Sequence, residues 1–486
     1  MVFSSLIFIY AFFSVSLLAY VMCPGQRSQN LVLLVFSLVF YAWGEPKYVL
    51  LLMFMALVSW ICALGVDQSR EKSRKKIWVL VAAVVDIALI GYFKYAGLFV
   101  SIFGTVPEFI RSIALPIGIS FYTFQLLTYV VDVYRGDAPA QKSYWNVLLY
   151  AALFHQCVAG PIVRYKTIDR ELFSGEPRKP ELAKGVARFS VGLAKKCLLA
   201  NPLGALTNTM ILTDEAIADA TLFAANAEAL GNISVLGGWL GVAAYTLHIY
   251  LDFSAYSDMA IGMGKMLGLH YLENFNYPYI SRTVTEFWRR WHMSLGTFFR
   301  DYVYIPLGGS RCGVLRSIFN TFLVWALTGL WHGASWNFVV WGLWFFVFLM
   351  LERLVLKRFM EKVPLLSNAY MLLVAMLGWV IFRFTNLDLG IILAKSLFGM
   401  NGNFLTDFAT NIQLKSHMYL LVAAIVASTP LMKILVEKIE KFTYRYGLLG
   451  TLWDVAYYSV MPIILLMLAT ASLVGDSYNP FIYFQF

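Results

Sequence analysis

YVLLLMFMALVSWICALGV, Tyr48–Val66, runs straight into DQSREKSRKK, Asp67–Lys76. The first stretch carries no charge and is long enough to cross the roughly 30 Å of bilayer hydrocarbon as a helix. The second holds five basic and two acidic residues, the mark of a loop kept on the cytoplasmic side. Working outward, further apolar runs occur at Val2–Met22, Ile77–Phe103, Asn337–Leu351, Met418–Leu435 and Val455–Val474. Of the 486 residues 60% are hydrophobic and only 14% charged, against roughly 25% charged in soluble chains. Mean hydropathy is +0.68. No ten-residue alternation of the kind a transmembrane barrel needs is present. The sequence predicts an all-α polytopic membrane protein, with residues 1–486 forming one integral-membrane domain and no soluble one.

The positive charges set the expected topology. Val2–Met22 has no basic residue ahead of it and no small-x-small cleavage site, so it reads as a first span rather than a signal peptide. Arg27 follows it, which predicts an outside N-terminus, and three crossings then end inside at Asp67–Lys76. Nine Lys and Arg against four carboxylates lie between Arg164 and Lys196, so that region also reads as cytoplasmic. The apolar stretch Trp145–Val158 before it is too short to cross between two cytoplasmic flanks. A re-entrant hairpin turning at Ala159-Gly160-Pro161 satisfies the parity, with an amphipathic surface helix as the alternative. The net charge of +10 belongs to such loops. No basic–aromatic interleaving supports a nucleic-acid partner. The five cysteines form no CxxC pair and read as small apolar side chains.

Three clusters could carry chemistry. His332 lies in GLWHGASWNF, Gly329–Phe338, between two apolar runs, with Gly329 and Gly333 expected to weaken helix, Ser335 expected to cap the next one, and Trp331 and Trp336 expected to wall the imidazole. A histidine near neutral pKa at such a break can take a proton from an attacking hydroxyl; a structural histidine bonded to a carbonyl is the alternative. Asn337 belongs to the same motif. His292 lies in TVTEFWRRWHMSLGTFFRDYVYIPLGG, Thr283–Gly309. Thr283 and Glu286 match a capping box, Glu286 and Arg290 are spaced for an ion pair, and Arg289 and His292 are expected to share a helix face. The segment reads either as an interfacial belt helix or as a site for the phosphates of a nucleotide cofactor. The third cluster is HIYLDFSAYSDMAIGMG, His248–Gly264, where Asp252 and Asp258 flank Ser254, Tyr256 and Ser257 in an apolar helix. Two acids there need partners, Arg or His being the obvious ones; a structural ion pair competes with direct catalysis. No HxxxH, HExxH, G-x-S-x-G or P-loop pattern is present, so no metal is expected.

Together these stretches resemble the membrane-bound O-acyltransferase family, in particular its branch of alginate O-acetylation membrane subunits and peptidoglycan- and exopolysaccharide-acetylating relatives. The matching text is YAWGEPKY (Tyr41–Tyr48), LPIGISFYTFQ (Leu115–Gln125), AGPIVRY (Ala159–Tyr165) and YLDFSAYSDMAIGMG (Tyr250–Gly264), then NFNYPYISRTVTEFWRRWHMSL (Asn274–Leu295), RDYVYIPLGGSR (Arg300–Arg311), GLWHGASWNFVVWG (Gly329–Gly342) and NPFIYFQF (Asn479–Phe486). The resemblance implies about eleven membrane helices plus re-entrant segments around a central funnel, in a bacterial cytoplasmic membrane. It places the family's essential histidine on His332 and its second, more variable one on His292. It implies acetyl-CoA as donor substrate with no permanently bound cofactor, and an extracytoplasmic acetyltransferase or acceptor protein passing the acetyl group to a polysaccharide. Gly296-Thr297-Phe298 and His155-Gln156-Cys157 depart from the pattern beside the motifs. Competing functions are D-alanyl transfer from a carrier protein to teichoic acid, a polysaccharide flippase, which would show internal symmetry that is not found, and a scaffold, which leaves the intramembrane histidines and acids without a role.

Overall fold

A computed structural model describes residues 2–158, 160–356, 360, 362–475 and 481. Among the described residues every regular element is helical. The chain forms two compact units. One comprises Met1–Leu193, Tyr256–Glu273 and Tyr458–Phe484; the other comprises Ala194–Ala255, Asn274–Tyr457 and Gln485–Phe486.

In the first unit the run that opens the sequence argument is α1, Val49–Gln68, paired through the charged turn with α2, Lys72–Phe103. Helix α3, Ile119–Arg135, packs against both. Helix α4, Tyr144–Ala152, stops after nine residues, and residues 153–158 and 160–163 continue as irregular, buried chain. Irregular backbone among apolar side chains must be satisfied from within the protein. The Tyr150 hydroxyl donates to the Val163 carbonyl at 2.9 Å, and the Gln156 amide donates to the Tyr150 carbonyl at 2.8 Å. Burial on this scale excludes the surface-helix alternative. Of the expected turn, Ala159 lies outside the described residues, and Gly160 has φ of 99°, a conformation glycine adopts without strain. Helix α5, Leu182–Ala194, follows the polar interlude.

Helix α6, Val235–Met266, begins in the second unit and ends in the first. The second unit then holds two short helices, α7, Val284–Arg290, and α8, Met293–Phe299, and three long apolar ones, α9, Val314–His332, α10, Trp336–Leu356, and α11, Pro364–Arg383. Helix α12, Leu448–Gly475, completes, among the described residues, six helices long and apolar enough to cross a membrane, or up to eight if each of two bent pairs is one span. About eleven were expected. Val2–Met22, expected as a full span, holds a shorter apolar helix, Ile7–Met22. The run Met418–Leu435 was expected as one span, but it is two helices bent by 64°. Pro430 stands at the break, where it has no N–H to continue the hydrogen-bond ladder.

Helices α9 and α10 form the hairpin that places the site. A Cβ on Gly329 would strike the Phe338 carbonyl, and one on Gly342 would strike the Trp325 carbonyl. Small residues let the two backbones touch, the packing favoured where lipid removes the hydrophobic drive between helices. Gly329 therefore does not weaken α9, as expected from sequence; the helix runs unbroken through it to His332.

Candidate active site

His332 is the last residue of α9, and the helix break falls immediately after it. Its ring is buried and packs edge-on against Trp331 at 5.0 Å, Trp341 at 4.9 Å and Phe382 at 5.4 Å between centroids. Three helices supply this box. Asn337, on the first turn of α10, donates its amide to the carbonyl of Phe382 at 2.9 Å and of Ile381 at 3.4 Å. It thereby ties α10 to the end of α11 and fixes the Phe382 ring beside the imidazole. Two sequence expectations change here. Trp336 is 53% exposed and does not wall the histidine, because it is the first residue of α10 and points away from the seam occupied by Trp341, five positions on. Ser335 stands at the N-cap, but its side chain makes no capping bond.

His292 is also buried, but it does not lie on one helix with Arg289. The capping box forms, with Thr283 Oγ1 accepting from the Glu286 N–H at 2.9 Å, and the helix it starts ends at Arg290. Trp291 is extended, and His292 has φ of 43° in the left-handed region before α8 begins. The i,i+3 argument therefore fails. The cause is a strand-like pairing with the segment before α7: Asn276 N–H donates to the Arg290 carbonyl and Met293 N–H to the Asn274 carbonyl, each at 2.9 Å. A left-handed non-glycine residue costs about 1–3 kcal/mol and persists only where its surroundings over-determine it. Here the ring is gripped by Phe253 of α6 at 4.8 Å and Trp331 of α9 at 5.8 Å. Trp331 thus touches both histidines. Burial pushes the pKa of His292 below its ordinary value, which favours the neutral imidazole.

The remaining predicted residues fall into three groups. Arg290 is committed, paired with Glu286 at 2.8 Å and donating to the Asn276 carbonyl at 3.1 Å, whereas Arg289 is exposed. Asp252 and Ser254 face the second unit's residues after α5: Lys196 Nζ lies 2.6 Å from Asp252 with both side chains buried, and Lys195 donates to Ser254 at 3.3 Å. In the first unit Asp258 pairs with Arg188 at 2.6 Å, and Arg188 reaches Glu273 at 2.7 Å. Tyr256 stacks on Phe3 at 4.8 Å. The structure therefore gathers His292, His332 and Trp331 and leaves the acids in ion pairs of their own.

Sequence reasoning missed Trp341, Phe382, Asn274, Lys196 and Glu352. Lys196 was counted among loop charges, and so was Arg188; the topology reading rests on the other cations of that region. Glu352 accepts from the Val284 and Thr285 N–H groups at 2.5 and 3.0 Å, which anchors the start of α7. Trp341 and Asn274 had a visible signal, since they lie within the quoted GLWHGASWNFVVWG and NFNYPYISRTVTEFWRRWHMSL.

A model of the membrane-bound O-acyltransferase family matches residues 6–387. A protein of Pseudomonas aeruginosa named "Probable alginate O-acetylase" is 39% identical over 82% of the chain and 75% of that protein. Its namesake in Pseudomonas putida is 35% identical over the full length of both. A peptidoglycan O-acetyltransferase of Helicobacter pylori is 29% identical over 83% of the chain and 80% of that protein.

Proposed function

The chain belongs to the membrane-bound O-acyltransferase family, and from that premise we propose that it moves an acetyl group from cytoplasmic acetyl-CoA to an extracytoplasmic polysaccharide, through a partner acetyltransferase or acceptor protein. The observation that carries this reading is the pairing of two buried histidines on one indole, at a break between apolar helices. Similarity to proteins named for alginate and peptidoglycan O-acetylation favours acetyl over D-alanyl transfer and a cell-surface polymer as acceptor.

In this reading residues 1–486 act as one domain in the bacterial cytoplasmic membrane, with about eleven crossings around a funnel. His332 is the general base and His292 its helper. Trp331 and Asn337 shape the pocket, Asp252 and Ser254 support α6 in the same unit, and Tyr256 and Asp258 support that helix within the first unit. Arg289, exposed at the end of α7, is the cation free to meet the phosphates of CoA, while Arg290 holds the helix end through Glu286.

Purified protein in liposomes given acetyl-CoA labelled in its acetyl group should release CoA and label a partner or acceptor. A charge-assisted hydrogen bond is worth about 1.5–3 kcal/mol, so Arg289→Glu should raise the apparent KM for acetyl-CoA at least roughly tenfold. No CoA release from wild type with partner present would sink the acetyl-CoA reading, and an unchanged KM would return α7 to an interfacial role.

The proposed orientation puts the N-terminus outside and both Asp67–Lys76 and Tyr165–Lys196 in the cytoplasm, because clustered Lys and Arg are retained there. Cysteines introduced at exposed positions of either region should resist an impermeant reagent applied to intact cells. Labelling from outside would invert the topology and with it the side on which acetyl-CoA enters.

A further inference from the structure

The left-handed turn at His292 determines which ring nitrogen carries the proton. The side-chain oxygen of Asn274 accepts from the Ser294 backbone N–H at 3.2 Å and from the Ser294 hydroxyl at 2.9 Å, and lies 3.2 Å from His292 Nδ1. A backbone N–H can only donate, so the Asn274 atom at this junction must be the oxygen and not the amide nitrogen. The Ser294 hydroxyl lies nearer that oxygen than it does His292 Nδ1, from which it is 3.4 Å. Its hydrogen therefore goes to Asn274, and it too presents a lone pair to the ring. Two oxygen lone pairs face Nδ1, and a ring nitrogen bearing a third would be repelled. Nδ1 must carry the hydrogen. In a neutral imidazole the other nitrogen, Nε2, then has none.

We propose that Asn274 is a positioning residue that holds His292 as the Nδ1–H tautomer, so that Nε2 serves as a hydrogen-bond acceptor that orients the acyl acceptor. The inference rests on the acyltransferase reading above and sharpens it. A helper histidine could either accept a hydrogen bond from the incoming acceptor molecule or donate one to the oxyanion that forms when the thioester is attacked. With the hydrogen fixed on Nδ1, donation from Nε2 is unavailable. His292 therefore accepts a hydrogen bond from a donor group of the acyl acceptor other than the attacking hydroxyl, whose single proton leaves to His332. No bond to His292 is made or broken.

The test uses the full chain in lipid nanodiscs, uniformly labelled with [15N]histidine, with the His292 signals assigned by their loss in His292→Gln. Wild type should show His292 Nδ1 in the protonated range and Nε2 in the unprotonated range, and Asn274→Ala should lose that preference. Replacement of an outer-shell partner typically costs about 10–100-fold in activity; Asn274→Ala should lose kcat on that scale with little change in the KM for acetyl-CoA. Asn274→Asp, which keeps an acceptor oxygen at the same place, should recover most of the loss. A protonated Nε2 in wild type would overturn the proposal. So would an undiminished kcat in Asn274→Ala, or a folded Asn274→Asp no better than Asn274→Ala. If wild type transferred no acetyl group, the enzymatic reading would fail by itself, and the spectrum would still decide the tautomer.

Discussion

His332→Ala should abolish acetyl transfer while the protein still inserts and purifies as folded protein. An alcohol hydroxyl has a pKa far above neutral, so its attack on a thioester requires the proton to leave as the new bond forms. General-base help in that step is worth about 10²–10⁴-fold. His332 is placed for it at the end of α9, where the helix stops and α10 and α11 close an aromatic box around the ring. The negative end of the α9 dipole lies there, suited to the positive charge that develops as an imidazole takes a proton. His332→Gln keeps most of the side-chain volume without a basic nitrogen and should lose turnover to the same degree, which separates loss of chemistry from loss of packing. His417→Ala is the control. Its ring sits at the junction of two helices far along the chain and bonds the Gln413 carbonyl at 3.0 Å, so turnover should be unaffected. If either His332 variant retained more than about a tenth of wild-type turnover, short of what removal of a general base costs, His332 would not be the base.

The helical membrane architecture was legible because the bilayer permits few alternatives: an uncharged run such as Tyr48–Val66 has to be a helix in which the backbone satisfies itself. The capping box at Thr283 was legible for a similar reason, since it is a local hydrogen-bond device written in four consecutive residues. What failed was decided by tertiary pairing, although the Arg partner expected for Asp258 is present in Arg188. The break at His292 depends on Asn274 and Asn276 returning across the chain to bond the 290–294 backbone, and no periodicity of the TVTEFWRRWH stretch announces it. Trp336 and Trp341 look equivalent in sequence, yet only the second reaches His332. Lys196 looked like one more loop cation. In the structure it is the buried partner of Asp252, because the segment carrying it lies against α6 and both side chains are enclosed by protein.

That pair makes the second large prediction. Lys196 Nζ and the Asp252 carboxylate stand 2.6 Å apart with side-chain exposures of 1% and 0%. Removing one partner of a buried pair leaves the other charge without its compensation and typically costs about 3–5 kcal/mol, whereas replacing both by apolar groups is often neutral or stabilising. Lys196→Met should therefore yield little folded protein, with a lowered Tm in detergent for what remains. Lys196→Met combined with Asp252→Leu should restore both yield and Tm. Asp252 adjoins Phe253, whose ring grips His292 at 4.8 Å, so the pair also sets where α6 presents that ring. If its role is structural, the double variant recovers turnover per folded molecule along with stability. A double variant that folds as well as wild type but stays below about a hundredth of its turnover, a loss on the scale of removing an acid–base group, would instead place Asp252 in the chemistry and make the ion pair part of the proton path.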